Sequence, residues 1–321
     1  MATTIPRPDY APEMQAAVTA MGEALPSLTL DTLPAMRQGI PGVPTVEEVL
    51  AGRPLTHREA TIRGYQGAEI SISIIQRDDH HSLGPGVYHI HGGGMVLGDR
   101  FLGIDWVADW AERYDAVGIS VEYRLAPEHP DPIPVEDCYA GLVWMVAHAA
   151  ELGFDPERLI IAGASAGGGL AAGTALLARD RGGPALAGEI LGIPMLDDRN
   201  ETLSSRQYSR IGVWDRESND FGWSALLGDR RGTEGVSIYA APARATDLAG
   251  LPPTFIDVGS AEVFRDEAVA YAGAIWAAGG NAELHVWPGG FHGFELFVPQ
   301  AAISRAARAA REAWLDRILG A

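Results

Sequence analysis

The sequence predicts an α/β fold: a mostly parallel β-sheet covered on both faces by helices. Three observations predict it. From about residue 61 onward, short apolar segments alternate with longer segments of helical period, as in parallel strands joined by crossover helices. The alternation stops between about Asp197 and Ala241 and then resumes, which reads as an insertion. The chain has 321 residues, 47% of them hydrophobic and 21% charged, enough for a large core without staples. At about 150 residues per domain, that length fits two domains or one large domain with an insertion.

The elements follow in order. Residues 1–50 are rich in proline, with one amphipathic helix expected over Pro12–Leu25. Strands are expected at Thr61–Tyr65 and Glu69–Gln76, where ISISII has a period of two. Val87–His91 is a strand that ends in HGGG. Ile104–Tyr114 reads as a helix, Ala116–Tyr123 as a buried strand, and Val135–Leu152 as a helix ending near Gly153. Arg158–Ala162 is a strand, Ala166–Arg179 a helix rich in alanine and glycine, and Glu189–Pro194 a short strand. The interruption holds Trp214, Phe221 and Trp223 among polar residues and glycines. Together with the N-terminal arm it fits a lid. Then come strand Pro253–Val258, helix Arg265–Ala278, strand Glu283–Trp287 and a final helix from about Pro299 to Leu319. In that helix Ile303, Ala307, Ala310, Trp314 and Ile318 recur near helical spacing and predict a core-facing stripe.

Composition narrows the function classes. Acids number 42 and basic residues 24, a net charge of −18, which argues against a nucleic-acid partner. Every basic residue is arginine, so a Schiff-base or lysine-nucleophile mechanism is excluded. The lack of lysine fits either codon bias or an acidic surface adapted to salt. A single cysteine, Cys138, rules out an intramolecular disulfide framework and a thiolate metal cluster. The start, MATTIPRPDYAPEMQ, has no basic stretch leading into an apolar one. The longest small-residue apolar run, LAAGTALLA at 170–178, is too short to span a bilayer, and the final ILGA carries no lipidation signal. A soluble, cytoplasmic protein without membrane insertion is the expectation.

The strongest chemical signal is Gly163-Ala164-Ser165-Ala166-Gly167, which follows the apolar LIIA and opens a helix. A tight strand-to-helix turn exposes the serine hydroxyl, and the helix aims its free N–H groups at the site. A glycine-rich βα turn that merely packs closely is the alternative. His91-Gly92-Gly93-Gly94 also follows a strand. Three glycines let backbone N–H groups face inward, where acyl transfer needs donors for an oxyanion. His91 itself reads as a residue that fixes the loop.

A serine nucleophile needs a base, and the base an orienting carboxylate. Among nine histidines, His292 lies in PGGFHGFE, directly after the last strand and so at the carboxyl edge of the sheet. His57, His80 and His81 are assigned to polar loops, His148 to a helix and His285 to a strand. The acid belongs between serine and histidine in chain order. In the loop after strand 253–258, Glu262 is favoured, with Asp266 its main rival. Two other classes stay open. His89-x-His91 with Asp78-Asp79-His80-His81 would suit a metal hydrolase, and a non-catalytic small-ligand receptor could share the fold.

The chain resembles the hormone-sensitive-lipase-like family of bacterial esterases within the α/β-hydrolase superfamily, over roughly 240 residues from Arg77 onward. The resemblance rests on HGGG at 91–94, YRLAPEHP at 123–130, Pro134 and Asp137 in PIPVEDCYAGL, DPERLIIAGASAGG at 155–168 and GFHGF at 290–294. DDRNETLSS at 197–205 and the following GVWDRESNDFGWSALLG resemble one branch. The family implies an eight-stranded sheet with a helical cap: residues 1–50 and 197–241 as the cap, residues 51–196 and 242–321 as the catalytic domain. It implies Ser165 as nucleophile, His292 as base and an oxyanion hole at Gly93, Gly94 and Ala166, with no metal or cofactor. Met95, Trp214, Phe221 and Trp223 are the candidates to line the pocket. The implied activity is hydrolysis of short- to medium-chain acyl esters through an acyl-enzyme, with lactones, carbamates or amides as alternative substrates. Edge strand Glu283–Trp287 is the candidate for pairing two subunits. Two departures from the family pattern matter. Glu262-Val263-Phe264 stands where many relatives have aspartate, proline and leucine, and Ala164 stands where an acidic residue or threonine is usual.

Overall fold

The computed structural model describes residues 5–24, 27–40, 43–81 and 83–320. Its strands are β1 (Leu55–Arg63), β2 (Glu69–Arg77), β3 (Gly84–Ile90), β4 (Val117–Val121), β5 (Phe154–Ala164), β6 (Gly188–Gly192), β7 (Thr254–Gly259) and β8 (Ala282–Trp287). They form one sheet in the order β1-β2-β4-β3-β5-β6-β7-β8. β1 and β2 pair antiparallel, as do β2 and β4, and every other pairing is parallel. The helices are α1 (Pro12–Ala24), α2 (Leu33–Met36), α3 (Val46–Leu50), α4 (Ile104–Tyr114), α5 (Ile133–Ala147), α6 (Ala149–Leu152), α7 (Ala166–Arg181), α8 (Leu203–Gln207), α9 (Arg216–Leu227), α10 (Arg265–Ala277), α11 (Phe294–Phe297) and α12 (Ala302–Leu319).

The sheet is covered on both faces because its inner strands are apolar on both. Val87, Ile160, Ala162, Ile190 and Phe255 pack with Trp110 of α4 and Trp314 of α12. Their neighbours Tyr88, Ile90, Ile161, Leu191 and Ile256 pack on the other side, with Leu142 of α5, Leu176 of α7 and Ile275 of α10. This is the period-two alternation of a strand, with each fully buried aliphatic side chain stabilising by roughly 1.5–3 kcal/mol. Ile90 pairs with Gly163, and Gly192 with Asp257, so β3, β5, β6 and β7 end level at one edge. The turns after them form the crevice where open α/β sheets bind ligands.

Several sequence expectations need correction. The first strand is Leu55–Arg63, not Thr61–Tyr65; β1 is an edge strand, mostly half-buried or exposed, and its polar residues hide the strand period. His57 therefore lies in a strand, with Nε2 3.0 Å from Ser73 Oγ. The helix expected over Val135–Leu152 starts at Ile133 and divides at His148, whose ring stacks on Trp144 at 4.1 Å. Leu25, the expected end of the first helix, falls outside the described residues; α1 runs from Pro12 to Ala24. α12 begins at Ala302 rather than Pro299, and its buried stripe is Ser304, Ala307, Arg311, Trp314, Leu315 and Leu319. Ile303, Ala310 and Ile318 are only half-buried, because a buried arginine with tertiary partners takes the centre of the stripe.

Between β6 and β7 the chain leaves the sheet to form α8 and α9. The N-terminal arm meets this excursion directly. Ser27 Oγ donates to Asp215 Oδ2 at 2.5 Å, Leu28 N–H to Ser218 Oγ at 3.1 Å, and Tyr208 O–H to the Pro8 carbonyl at 2.9 Å. Among the described residues, no helix is long and apolar enough to cross a membrane.

Candidate active site

Ser165 joins β5 to α7 at φ 58° and ψ −122°, a strained conformation that costs about 1–3 kcal/mol. The flanking glycines make it attainable. A Cβ on Gly163 would stand 2.3 Å from the Gly167 carbonyl oxygen, and one on Gly167 2.0 Å from that of Ile90. The Ser165 N–H donates to the Gly192 carbonyl at 2.8 Å, and the Ser165 carbonyl accepts from Met195 N–H at 3.0 Å. Backbone bonds to the next strand thus hold the turn closed.

His292 Nε2 lies 3.0 Å from Ser165 Oγ, and His292 Nδ1 lies 2.6 Å from Glu262 Oε2. The second carboxylate oxygen, Oε1, accepts from Gly259 N–H at 2.9 Å. Ser165 and His292 are each 8% exposed and Glu262 2%. Phe264 stands edge-on to the imidazole at 5.1 Å. A carboxylate at Nδ1 favours the proton there and leaves Nε2 free to accept from the serine. Asp266 is engaged elsewhere: its Oδ2 accepts from Ser204 N–H at 2.7 Å and its Oδ1 from Arg265 at 2.8 Å.

The HGGG loop turns back on itself, with φ of 109° at Gly93, 63° at Gly94 and 64° at Met95. A Cβ on Gly94 would lie 2.3 Å from the Trp214 ring. The N–H groups of Gly93, Gly94 and Ala166, the first residue of α7, have no acceptor among the described residues. His91 stays within its own loop: Nδ1 is 2.8 Å from the Gly92 carbonyl, the ring stacks on Tyr123 at 4.2 Å, and burial lowers its pKa.

The residues of the metal-site alternative are dispersed. His89 Nδ1 meets Ser120 Oγ at 2.9 Å, and burial pushes its pKa down to about 3. His80 bridges Asp115 and the Gly153 carbonyl, while Asp79 pairs with Arg77. Among the described residues, no three His, Cys, Asp or Glu side chains converge as a metal site.

Two features were not visible in the sequence. Arg37, in the N-terminal arm, donates from Nε to the Val96 carbonyl and from Nη2 to the Ala126 carbonyl, both at 2.8 Å, and pairs with Glu128. Ala126 N–H in turn donates to the Met95 carbonyl at 2.9 Å, so the arginine clamps the glycine loop from outside. The second is Arg311 of α12, 2% exposed, held by Glu295 at 2.8 Å and lying 4.0 Å from Asp257, with its guanidinium 3.9 Å from the Trp106 ring centre. Burial, then the Glu295 charge, push Asp257 up to about 7 against the pull of Arg311. Neither residue sits in a local motif; their hydrogen-bond and ion-pair partners lie 16 to 91 positions away.

Ser165 and His292 open onto a cavity of about 1260 Å³, its mouth included. One part is apolar, with Leu28, Met36, Ile40, Val213 and Trp214. Of the four side chains expected to line it, Trp214 does. Met95 and Trp223 are fully buried and Phe221 is half-buried, and none of the three reaches the cavity wall. The positive φ at Met95 turns its side chain under α7, where its Cε would lie 3.7 Å from a Cβ on Gly169.

Residues 87–296 match the alpha/beta hydrolase fold family. The chain belongs to that family. Carboxylesterase NlhH of Mycobacterium tuberculosis is 35% identical to it over 93% of this chain and 94% of its own. Among solved structures, a bacterial heroin esterase superposes with a TM-score of 0.89 at 39% identity, covering 99% of both chains. Esterase LipW from Mycobacterium marinum gives 0.86 at 30% identity over 98% of this chain and 99% of its own. The hydrolase thus sits among the hormone-sensitive-lipase-like esterases and is an ester hydrolase.

Proposed function

We propose that the chain is a serine carboxylesterase of short- to medium-chain acyl esters, working through a Ser165–His292–Glu262 triad. The observation that carries this reading is the continuous hydrogen-bonded file from Ser165 Oγ through His292 to Glu262. In the first half-reaction Ser165 Oγ attacks the ester carbonyl carbon while His292 Nε2 takes its proton. Glu262 holds the ring and stabilises the imidazolium. The carbonyl oxygen becomes an oxyanion, which the N–H groups of Gly93, Gly94 and Ala166 receive. The tetrahedral intermediate collapses, His292 gives its proton to the leaving alkoxide, and an acyl-serine remains. Water then repeats the sequence, with His292 as base, and releases the acid. In this reading residues 1–50 and 197–241 form the cap, and the enclosed apolar part of the cavity takes the acyl chain.

The test is hydrolysis of p-nitrophenyl acetate through decanoate by wild type and Ser165→Ala. Turnover that peaks at short chains and drops by about 10³-fold or more in the variant supports the proposal. Turnover that survives the substitution, or is absent from wild type on every ester, refutes it.

A further inference from the structure

The cavity has a second arm that the triad does not use. His89, Asp105, Asp257 and Glu295 line it, together with Trp106 and Arg308. Glu295 is committed to Arg311 through two hydrogen bonds, at 3.2 and 2.8 Å. The two aspartates are not. Asp257, 2% exposed, accepts from Trp287 Nε1 at 3.2 Å through Oδ2, and only the distant Arg311, at 4.0 Å, shares its charge. Its Oδ1 has no donor among the described residues and faces Gly192, itself part of the wall. Asp105, the second residue of α4, makes no hydrogen bond or ion pair to another side chain among the described residues, and the charge of Arg311 reaches it as well. The helix dipole accounts for a carboxylate at Asp105 but not for one at Asp257. Arg308 brings no relief: it donates to the Pro299 carbonyl and makes no ion pair among the described residues.

A second, independent group faces the same space. His89 is 1% exposed, and its Nε2 has no hydrogen-bond partner among the described residues. That nitrogen lies 3.1 Å from where a Cβ on Gly103 would stand, and Gly103 is also part of the wall. His89 lines the cavity, so this nitrogen is open to a polar ligand there. The carboxylates set the sign of that ligand. His89, held neutral by burial, adds no repulsion to a cation.

We propose that this arm binds a cationic group, a protonated amine or quaternary ammonium, and that the enzyme prefers esters carrying one. The choice of ester rests on the serine-esterase reading; the existence of the cation site does not. A cation placed between Asp105 and Asp257 supplies the counter-charge that Arg311 shares too thinly. Buried opposite charges attract far more strongly than the same pair in water, and the desolvation already spent on Asp257 is then offset. The upward push of burial on both aspartates agrees with sites short of positive charge.

The test compares two matched pairs: acetylcholine with 3,3-dimethylbutyl acetate, and betaine ethyl ester with ethyl 3,3-dimethylbutanoate. Each pair differs only in ammonium nitrogen against carbon, on the alcohol side or the acyl side. The readout is the charged-to-neutral ratio of kcat/KM in wild type, Asp257→Asn and Asp105→Asn, in which losses common to both substrates cancel. A ratio that falls at least tenfold in both variants for one pair supports the site. Choline binding to wild type, followed by calorimetry, needs neither turnover nor a variant that folds. Binding that is lost or weakened in the variants supports the site even where no ester is cleaved, and in that case the esterase reading alone fails. Choline that does not bind wild type at millimolar concentration, or a ratio unchanged in both variants, overturns the proposal and leaves the esterase reading intact.

Discussion

At the residue scale, the acid of the proposed triad is a glutamate whose two oxygens have different partners. Oε2 faces the imidazole and Oε1 is anchored on Gly259 N–H. The extra methylene relative to aspartate is taken up because Glu262 sits three residues beyond the end of β7 and reaches back to it. The prediction is asymmetric: Glu262→Ala lowers kcat on p-nitrophenyl acetate by about 10²-fold or more, and Asp266→Ala by less than about tenfold. Asp266→Ala acts instead through lost anchoring of α8 at Ser204 N–H. The reverse order of losses in steady-state kinetics would transfer the acid to Asp266. Ser165, His292 and Glu262 were legible in the sequence because each follows a recognisable strand, so that position at the sheet edge could be read locally. Met95 and Trp223 were misjudged because an apolar residue near a motif does not reveal which way its side chain turns. Asp257 and Arg311 were illegible as a pair, since a buried charge makes sense only beside a partner from a distant element.

At the scale of elements, most of the sheet and its covering helices were legible, while the first edge strand and the phase of the last helix were not. The inner strands β3, β4, β6 and β7 are short apolar runs between turn signals and occur close to where the pattern put them; β5 starts at Phe154, four residues before its apolar run was expected to open the strand. β1 escaped because an edge strand with one solvent face carries little hydrophobic signal. The α12 stripe was misphased because Arg311 occupies a core position that hydropathy assigns to an aliphatic residue. Replacing it tests that placement. Arg311→Ala leaves buried Asp257 and half-buried Glu295 without their cation and is expected to cost about 3–5 kcal/mol, read as a lower urea midpoint. An unchanged midpoint would show that the pair is solvated. The glycine loop is likewise held by an element far from it in sequence. Arg37→Ala frees the Val96 and Ala126 carbonyls from their clamp. It is expected to lower kcat roughly tenfold while KM changes little, because a misplaced donor of the proposed oxyanion hole acts on the transition state. A loss confined to KM would contradict the clamp.

At the scale of the whole molecule, burial of acids sets how stability responds to pH. Glu189 is fully buried with a single hydroxyl partner, Thr254, and burial raises its pKa from 4.5 to about 7. The folded state therefore holds a proton that the unfolded state gives up between pH 4.5 and 7. This contribution is complete below pH 4.5 and is lost as pH rises through 7. Across that window wild type is expected to lose roughly 3 kcal/mol relative to Glu189→Gln. Urea unfolding of both proteins at pH 4.5, 6 and 7.5 measures it, and parallel profiles would mean that Glu189 ionises normally. The clamp described above has a consequence of another kind. Because Arg37 belongs to the N-terminal arm, the segment that lends Leu28, Met36 and Ile40 to the cavity wall also braces the glycine loop. Exchanging arms between relatives to widen substrate range is therefore a kinetic intervention as well. A chimera that imports a new arm without an arginine at this position is expected to lose turnover along with any change in selectivity.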